Sequence, residues 1–261
     1  MLLEYAGRSF HGSQYQVGVR TVQCDLENAL SAYLRQPVKT VFSGRTDAGV
    51  HAAGQVVHFD VQDEAVDLWR LCWALNGILK SDASVIRAQV VPATFHARFT
   101  AVERQYVYRI LNRPQRSAIL KDNHYFVPFV LDPDLMKTAA HALLGSHDFV
   151  AFRSTNADRT STVCDVQACE LLKLDEGRLE FWITANHFVY NMVRIIVGTL
   201  IQIGLGKEAP ESLSKALECG DRKLAGPTAP SWGLTLNSVK YPDTYNLFQT
   251  NSLLSCPGEL T

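Results

Sequence analysis

Hydrophobic positions along this chain change period repeatedly, and the changes mark out elements in a recurring order. Val22, Leu26, Ala29, Leu30, Tyr33 and Leu34 fall on one face of a 3.6-residue repeat, and Thr21 stands where a cap belongs, which predicts a helix over 22–34. Apolar runs around 40–44 and 54–60 have the length of strands. Asp67 caps a second helix that runs to about Leu79, with Leu68, Leu71, Leu75, Ile78 and Leu79 facing inward, and 84–91 reads as another strand. With 2–5 as a first strand, the order is β-α-β-β-α-β.

The second half repeats that order with an insertion. A strand of alternating character covers 105–111, and after a loop Asp132-Pro133 starts a helix that stops at Gly145. Strands near 162–174 and 178–185 are split by Asp175-Glu176-Gly177, a hairpin signal. The helix predicted over 188–203 puts Phe188, Met192, Ile195, Ile196, Thr199, Leu200 and Ile203 on its core face. Val189, Val193 and Val197 make it apolar nearly all round, and Gly204 reads as its C-cap. A short helix near 211–218 and a strand over 232–239 complete the set.

The fold class this implies is α+β: two duplicated β-α-β-β-α-β, ferredoxin-like halves around a central, mostly antiparallel sheet, with an active-site cleft where the halves meet. The expected division is 1–97, 98–241 and a tail, 242–261, that is polar and without sustained period and is expected to be loosely attached.

Composition narrows the function classes. A chain of 261 residues, 47% hydrophobic, can bury a full core. No apolar run reaches the roughly 20 residues that span a bilayer, and the start lacks the pattern of a signal peptide, so a cytoplasmic protein with no membrane partner is expected. The six cysteines form no CxxC pair, so neither disulfides nor a zinc site is indicated. A net charge of −1 does not advertise a nucleic-acid binder. Local clustering says more: Arg98, Arg104, Arg109, Arg113, Arg116 and Lys121 fall in one stretch with Tyr106 and Tyr108 among them, a mixture that suits phosphates and splayed bases as well as it suits a solvated strand face.

Three residues stand out as chemistry. Ser43-Gly44-Arg45-Thr46-Asp47-Ala48-Gly49-Val50-His51 lies between two apolar runs, which lifts Asp47 onto a loop off a rigid sheet and makes it the first catalytic candidate. The same Asp and glycines also suit an ordinary turn. Arg194 interrupts the most apolar helix, and a buried guanidinium needs a partner. Asp47 is one candidate, and a backbone carbonyl or another acid would serve too. Tyr106 opens a strand and could stack on a base, though a core tyrosine would read the same. His51 and His58 straddle a strand in a way that does not suit a shared metal. His147-Asp148-Phe149 with Arg153 and Arg159 reads as a loop, and Gly204-Leu205-Gly206-Lys207 ends a helix rather than opening one, unlike a phosphate loop.

Taken in order, these segments resemble the tRNA pseudouridine synthase A (TruA) family over nearly the whole chain. The strongest marker is Gly44-Arg45-Thr46-Asp47-Ala48-Gly49-Val50-His51-Ala52. It is joined by Phe10-His11-Gly12, Arg20-Thr21-Val22-Gln23, Phe95-His96-Ala97-Arg98, Tyr106-Val107-Tyr108, His147-Asp148-Phe149 with Phe152-Arg153, Met192-Val193-Arg194 through Leu200, and Gly226-Pro227-Thr228-Ala229-Pro230. Two positions depart from the family pattern: Ala6 and Ser13 stand where it usually carries Asp and Trp.

The resemblance implies an isomerase that turns uridine into pseudouridine at positions 38, 39 and 40 in the anticodon stem-loop of tRNA, acting as a homodimer without cofactor or metal. It implies Asp47 as the essential aspartate, Tyr106 packed on the target base, Arg194 paired with the aspartate, Arg45 helping to extrude the uridine and Leu234 lining the pocket. The same scaffold could carry this chemistry to another RNA, or serve as a non-catalytic RNA-binding or RNA-folding protein.

Overall fold

The computed structural model describes residues 1–61, 66–154 and 161–248. The chain divides into two units, one made of Met1–Val102 with the chain from Thr235 onward and the other of Glu103–Leu234.

The first unit follows the expected order: β1 (Leu2–Tyr5), α1 (Val22–Leu34), β2 (Val41–Phe42), β3 (His51–His58), α2 (Leu68–Ile78) and β4 (Ala83–Arg87). Antiparallel pairing places β1 between β4 and β3, and β2 pairs with β3 through Val41 opposite His58 and Phe42 opposite Val57. Leu3, Leu26, Leu30, Val57, Leu71, Leu75 and Val85 meet in one core between sheet and helices. Thr21 caps α1 by accepting from the Cys24 N–H at 3.2 Å, and Asp67 caps α2 by accepting from the Arg70 N–H at 3.0 Å. Only Leu71 and Leu75 of the apolar stripe on α2 are fully buried. Ile78, three residues further round the helix, is half exposed.

Polar ties fix the ends of these elements. The Arg20 guanidinium donates to both Asp82 oxygens at 2.6 and 2.7 Å and to Asp25 at 2.8 Å, which holds the Asp82 carboxyl below its usual range. Burial pushes the Glu27 carboxyl up, but hydrogen bonds from the Thr40 N–H, Gln23, the Thr40 hydroxyl and Lys39 outweigh it and hold Glu27 ionised. Glu27 thereby anchors α1 to the residue that leads into β2.

The second unit contains β5 (Glu103–Asn112), β6 (Tyr125–Val127), α3 (Pro133–Ala140), β7 (Gly145–Asp148), β8 (Val163–Lys173), β9 (Arg178–Ala185), α4 (Met192–Gly204) and α5 (Glu211–Cys219). Its strands run β5-β9-β8-β7, all antiparallel, with β6 added parallel to β5. The turn between β8 and β9 falls where predicted, with Glu176 and Gly177 at positive φ of 59° and 74°. Short strands β6 and β7 were not legible, and β7 places His147 and Asp148 in a strand rather than a loop. Arg159 lies outside the described residues.

Two helix ends differ from the periodic reading. The helix expected to start at 188 begins at Met192, because Asn191 takes a left-handed φ of 64°. Gly204 is its last helical residue and not a left-handed cap. A Cβ there would lie 2.7 Å from the Met136 sulfur, so the glycine serves close packing of α3 on α4, while the positive φ falls on Gly206.

The last strand, β10 (Leu234–Lys240), rejoins the first unit, where Thr235 and Leu236 pair in parallel with His51 and Ala52 of β3. Each unit therefore holds a mostly antiparallel sheet with one parallel pair. Beyond β10 the chain stays attached through Phe248. Tyr245 packs edge-on against Phe95 at 5.4 Å, and the Gln89 amide bonds the backbone of Asn246 and Phe248 at 3.1 and 3.2 Å. The rest of the tail lies outside the described residues.

Candidate active site

Asp47 sits in the connection between β2 and β3, an eight-residue hairpin loop at 43–50. Connections of this length usually move, so what matters is what holds this one. Gln55 on β3 is fully buried and works as a brace. Its amide accepts from the Ser43 hydroxyl at 2.6 Å, and donates to the Gly44 carbonyl at 2.9 Å and to the Tyr5 hydroxyl at 3.3 Å. Tyr5 in turn hydrogen-bonds the Thr46 hydroxyl at 2.8 Å. Burial pushes the Tyr5 phenol up to about 12, against the opposing pull of its hydrogen bonds with Thr46, Gln55 and Ser13, so the ring stays neutral.

Ser13 grips the residue next to Asp47 from the other side. Its hydroxyl accepts from the Thr46 N–H at 2.9 Å, and its own N–H donates to the Thr46 carbonyl at 3.0 Å. The position where the resembled family usually carries Trp thus holds a buried serine that clamps the loop. Two glycines permit the approach. A Cβ on Gly12, at φ +93°, would stand 2.9 Å from the Thr46 carbonyl oxygen, and a Cβ on Gly7 would collide with the Val50 carbonyl. The Gly7 N–H also donates to His51 Nδ1 at 3.2 Å. Thr46 is buried by this frame, whereas Asp47 remains half-buried and Arg45 exposed. The first unit therefore presents a carboxylate and a cation two residues apart on a loop held by the chain's own hydrogen bonds.

The second unit holds the other candidates. Tyr106, in β5 opposite Ile183, keeps 9% of its surface exposed and meets Phe188 edge to face at 5.0 Å. Arg194 falls in the first turn of α4, half-buried, not in the middle of an apolar helix as its sequence neighbours suggest. Its Nε donates to the Ala229 carbonyl at 2.8 Å and its Nη1 to Asn191 Oδ1 at 2.7 Å.

The segment Gly226-Pro227-Thr228-Ala229-Pro230 organises this region. The Ala229 N–H donates to the Arg194 carbonyl at 3.0 Å, Gly226 donates to the Thr199 hydroxyl at 2.8 Å, and a Cβ on Gly198 would collide with the Pro227 carbonyl oxygen. The Tyr108 hydroxyl donates to the Pro230 carbonyl at 2.7 Å, and Gly233 fits against the Tyr108 ring. One segment thus ties the start of α4 to β5 and leads directly into Leu234, which is 6% exposed.

Sequence reasoning found the loop and the odd arginine, marked Ser13 as a departure and Phe188 as a core residue, but gave none of Gln55, Tyr5, Ser13, Phe188 and Asn191 a place at the site. One entry in the basic stretch is removed: Arg109 is 9% exposed and donates through Nε to Glu180 at 3.0 Å, so it is an interior ion pair and not part of a phosphate-binding face.

With this geometry in place, comparison defines the class: a model for tRNA pseudouridine synthase matches residues 1–100 and 139–242. The chain belongs to the tRNA pseudouridine synthase family. Its curated relatives include three proteins named tRNA pseudouridine synthase A. That of Bacillus pumilus (strain SAFR-032) is 40% identical over 241 residues, covering 92% of this chain and 97% of its own. That of Geobacillus sp. (strain WCH70) is 41% identical, covering 92% and 96%. That of Halalkalibacterium halodurans is 43% identical over 232 residues, covering 88% and 87%.

Proposed function

We propose that this protein converts uridine to pseudouridine in tRNA, with Asp47 as the catalytic carboxylate. The observation that carries the reading is the Asp47 loop, which combines the Gly44–Ala52 motif with a frame that buries Thr46 and leaves the neighbouring carboxylate half-exposed. The reaction moves the base from an N1 to a C5 attachment and consumes no redox equivalent or phosphate, so one carboxylate can suffice without cofactor or metal. Asp47 attacks C1′ as the N1–C1′ bond breaks, or adds to the pyrimidine C6 before that bond breaks, or removes the 2′ proton so that the base leaves a glycal. After the base turns, C5 joins C1′ and loses its proton, N1 gains one, and Asp47 is freed by breaking its bond to C1′ or C6 or by returning the 2′ proton. Flipping the uridine out costs a few kcal/mol, which stacking on Tyr106 and the charge of Arg45 offset.

In this reading Arg194 pairs with Asp47 and keeps it ionised, and Leu234 lines the base pocket. The target is the anticodon stem-loop at positions 38, 39 and 40. The protein works in the cytoplasm as a homodimer of chains built from two α+β halves; the half with the catalytic loop takes in β10, which the sequence pattern assigns to 98–241, and Glu103–Leu234 carries the base-stacking strand and the arginine. No helix among the described residues is long and apolar enough to cross a membrane.

The test is release of tritium from C5-labelled uridine in a bulk tRNA transcript pool, with wild type and Asp47→Ala side by side and a chelator present. Wild type is expected to release tritium, and Asp47→Ala to bind the same RNA while releasing none. Activity that survives the substitution would sink the assignment of Asp47, and binding without release by either protein would leave a non-catalytic RNA-binding protein.

A further inference from the structure

A concavity lies in the second unit, in residues that the proposed chemistry does not use. It is an open hollow of about 430 Å³ between the end of β5, the connection to β6 and the turn before β10. That volume falls within the roughly 300–1,000 Å³ of sites that enclose organic ligands. Leu111, Phe126 and Trp232 give it flat apolar walls, Arg116 and Lys121 stand exposed among its lining residues, and none of the described lining residues is acidic. His124, 7% exposed, also lines it. Burial, with the nearby Arg109 and Arg178, pushes its imidazole down to about 4, so it is neutral at physiological pH and adds a hydrogen-bonding group without charge.

Apolar walls that include an indole, two cations and an uncharged polar group match the parts of one nucleotide: a flat base, a phosphate and a base edge. The alternating faces of β5 separate this place from Tyr106. Leu111 is five residues further on, about 17 Å along the strand, and on the opposite face.

We propose that this cavity binds one unstacked nucleotide of the RNA substrate, with its base against Trp232 and Phe126 and its phosphate held by Arg116 and Lys121. The proposal rests on the RNA-modifying reading above and adds a second nucleotide site to it.

The test measures binding of a labelled tRNA transcript pool against KCl concentration for wild type, Arg116→Gln/Lys121→Gln, Trp232→Phe and Trp232→Leu, and for Lys173→Gln as an exposed control outside the cavity. The double glutamine variant is expected to lower the slope of log affinity against log salt by about 0.7, the value for one single-stranded phosphate. Trp232→Leu is expected to weaken binding at least about 5-fold. Part of the tryptophan quenching seen when RNA binds wild type should vanish in Trp232→Phe. Unchanged slope and affinity in the double variant would overturn the proposal, as would a changed slope with no Trp232 component of quenching, which would mean a surface phosphate contact only. Quenching of Trp232 by free adenosine monophosphate, with RNA affinity unmoved in the variants, would place a free nucleotide here instead. Wild type that neither binds RNA nor releases tritium would instead sink the underlying RNA reading.

Discussion

Ser13 illustrates how a single side chain can serve a site it does not belong to. Its hydroxyl satisfies a buried backbone N–H next to the carboxylate, and its backbone returns a second bond to the same residue. Ser13→Ala leaves the Thr46 N–H unpaired in a dry place, which costs about 1–3 kcal/mol. For a chain of this size that lowers Tm by roughly 2–4 °C per kcal/mol. Turnover is expected to fall further than tRNA affinity, because the substitution loosens the loop and not the RNA contacts. Melting curves and single-turnover tritium release, measured together, check both parts. At this scale the sequence disclosed which residues were odd but not who held them. Asp47 and Arg194 could be singled out because each breaks a local pattern. The partners Tyr5, Ser13 and Gln55 lie tens of residues from the loop or across a strand from it, and each looks like an ordinary core or turn residue until the chain folds.

Elements were easier to read than their ends. The position of α1 and the turn between β8 and β9 followed from a cap and a glycine turn, which are local signals. The start of α4 did not, since apolar residues before Met192 continue the helical period while Asn191 breaks the backbone. Glycines within α4 show the same division between local rule and tertiary contact. Alanine is favoured over glycine in a helix by about 1 kcal/mol, so propensity alone predicts that both Gly198→Ala and Gly204→Ala stabilise. The neighbours decide otherwise. At Gly204 a methyl group would press on the flexible thioether of Met136, which can move aside, whereas at Gly198 it would meet the Pro227 carbonyl, fixed in the backbone. Gly204→Ala is expected to stay within about 1 kcal/mol of wild type and Gly198→Ala to lose about 1–3 kcal/mol or more. Equal unfolding midpoints in urea for the two variants would contradict this account.

For the molecule as a whole, the near balance of 25 basic and 26 acidic residues gave no hint of a nucleic-acid partner, and the interior pairing of Arg109 with Glu180 thins the basic stretch that did. The α+β class was legible because helix and strand periods alternate clearly. The route of the chain was not, because nothing local tells a strand which sheet it will join. That route has a consequence for how the protein is made. β3 pairs with β1 and β2, which precede it in the chain, and with Thr235 and Leu236, which follow far later, and a Cβ on Gly54 would collide with the Asn237 carbonyl, so the late strand fits closely. At roughly 5–20 residues per second, a ribosome needs about seven to twenty-seven seconds to extend the chain from 102 to 235. Throughout that interval the half that carries Asp47 lacks its last strand, while the intervening unit is still being made. A nascent chain halted near residue 140, with the first unit up to Val102 outside the tunnel, is therefore expected to leave the backbone amides at the β10-facing start of β3 exchanging quickly in pulse labelling, and one halted past residue 280 on an added linker to protect them. Slow exchange in the shorter chain would show that the early half closes unaided. The late strand, by this reasoning, acts as a latch on the sheet behind the Asp47 loop, set only after the loop and its own hydrogen-bond partners have long been made.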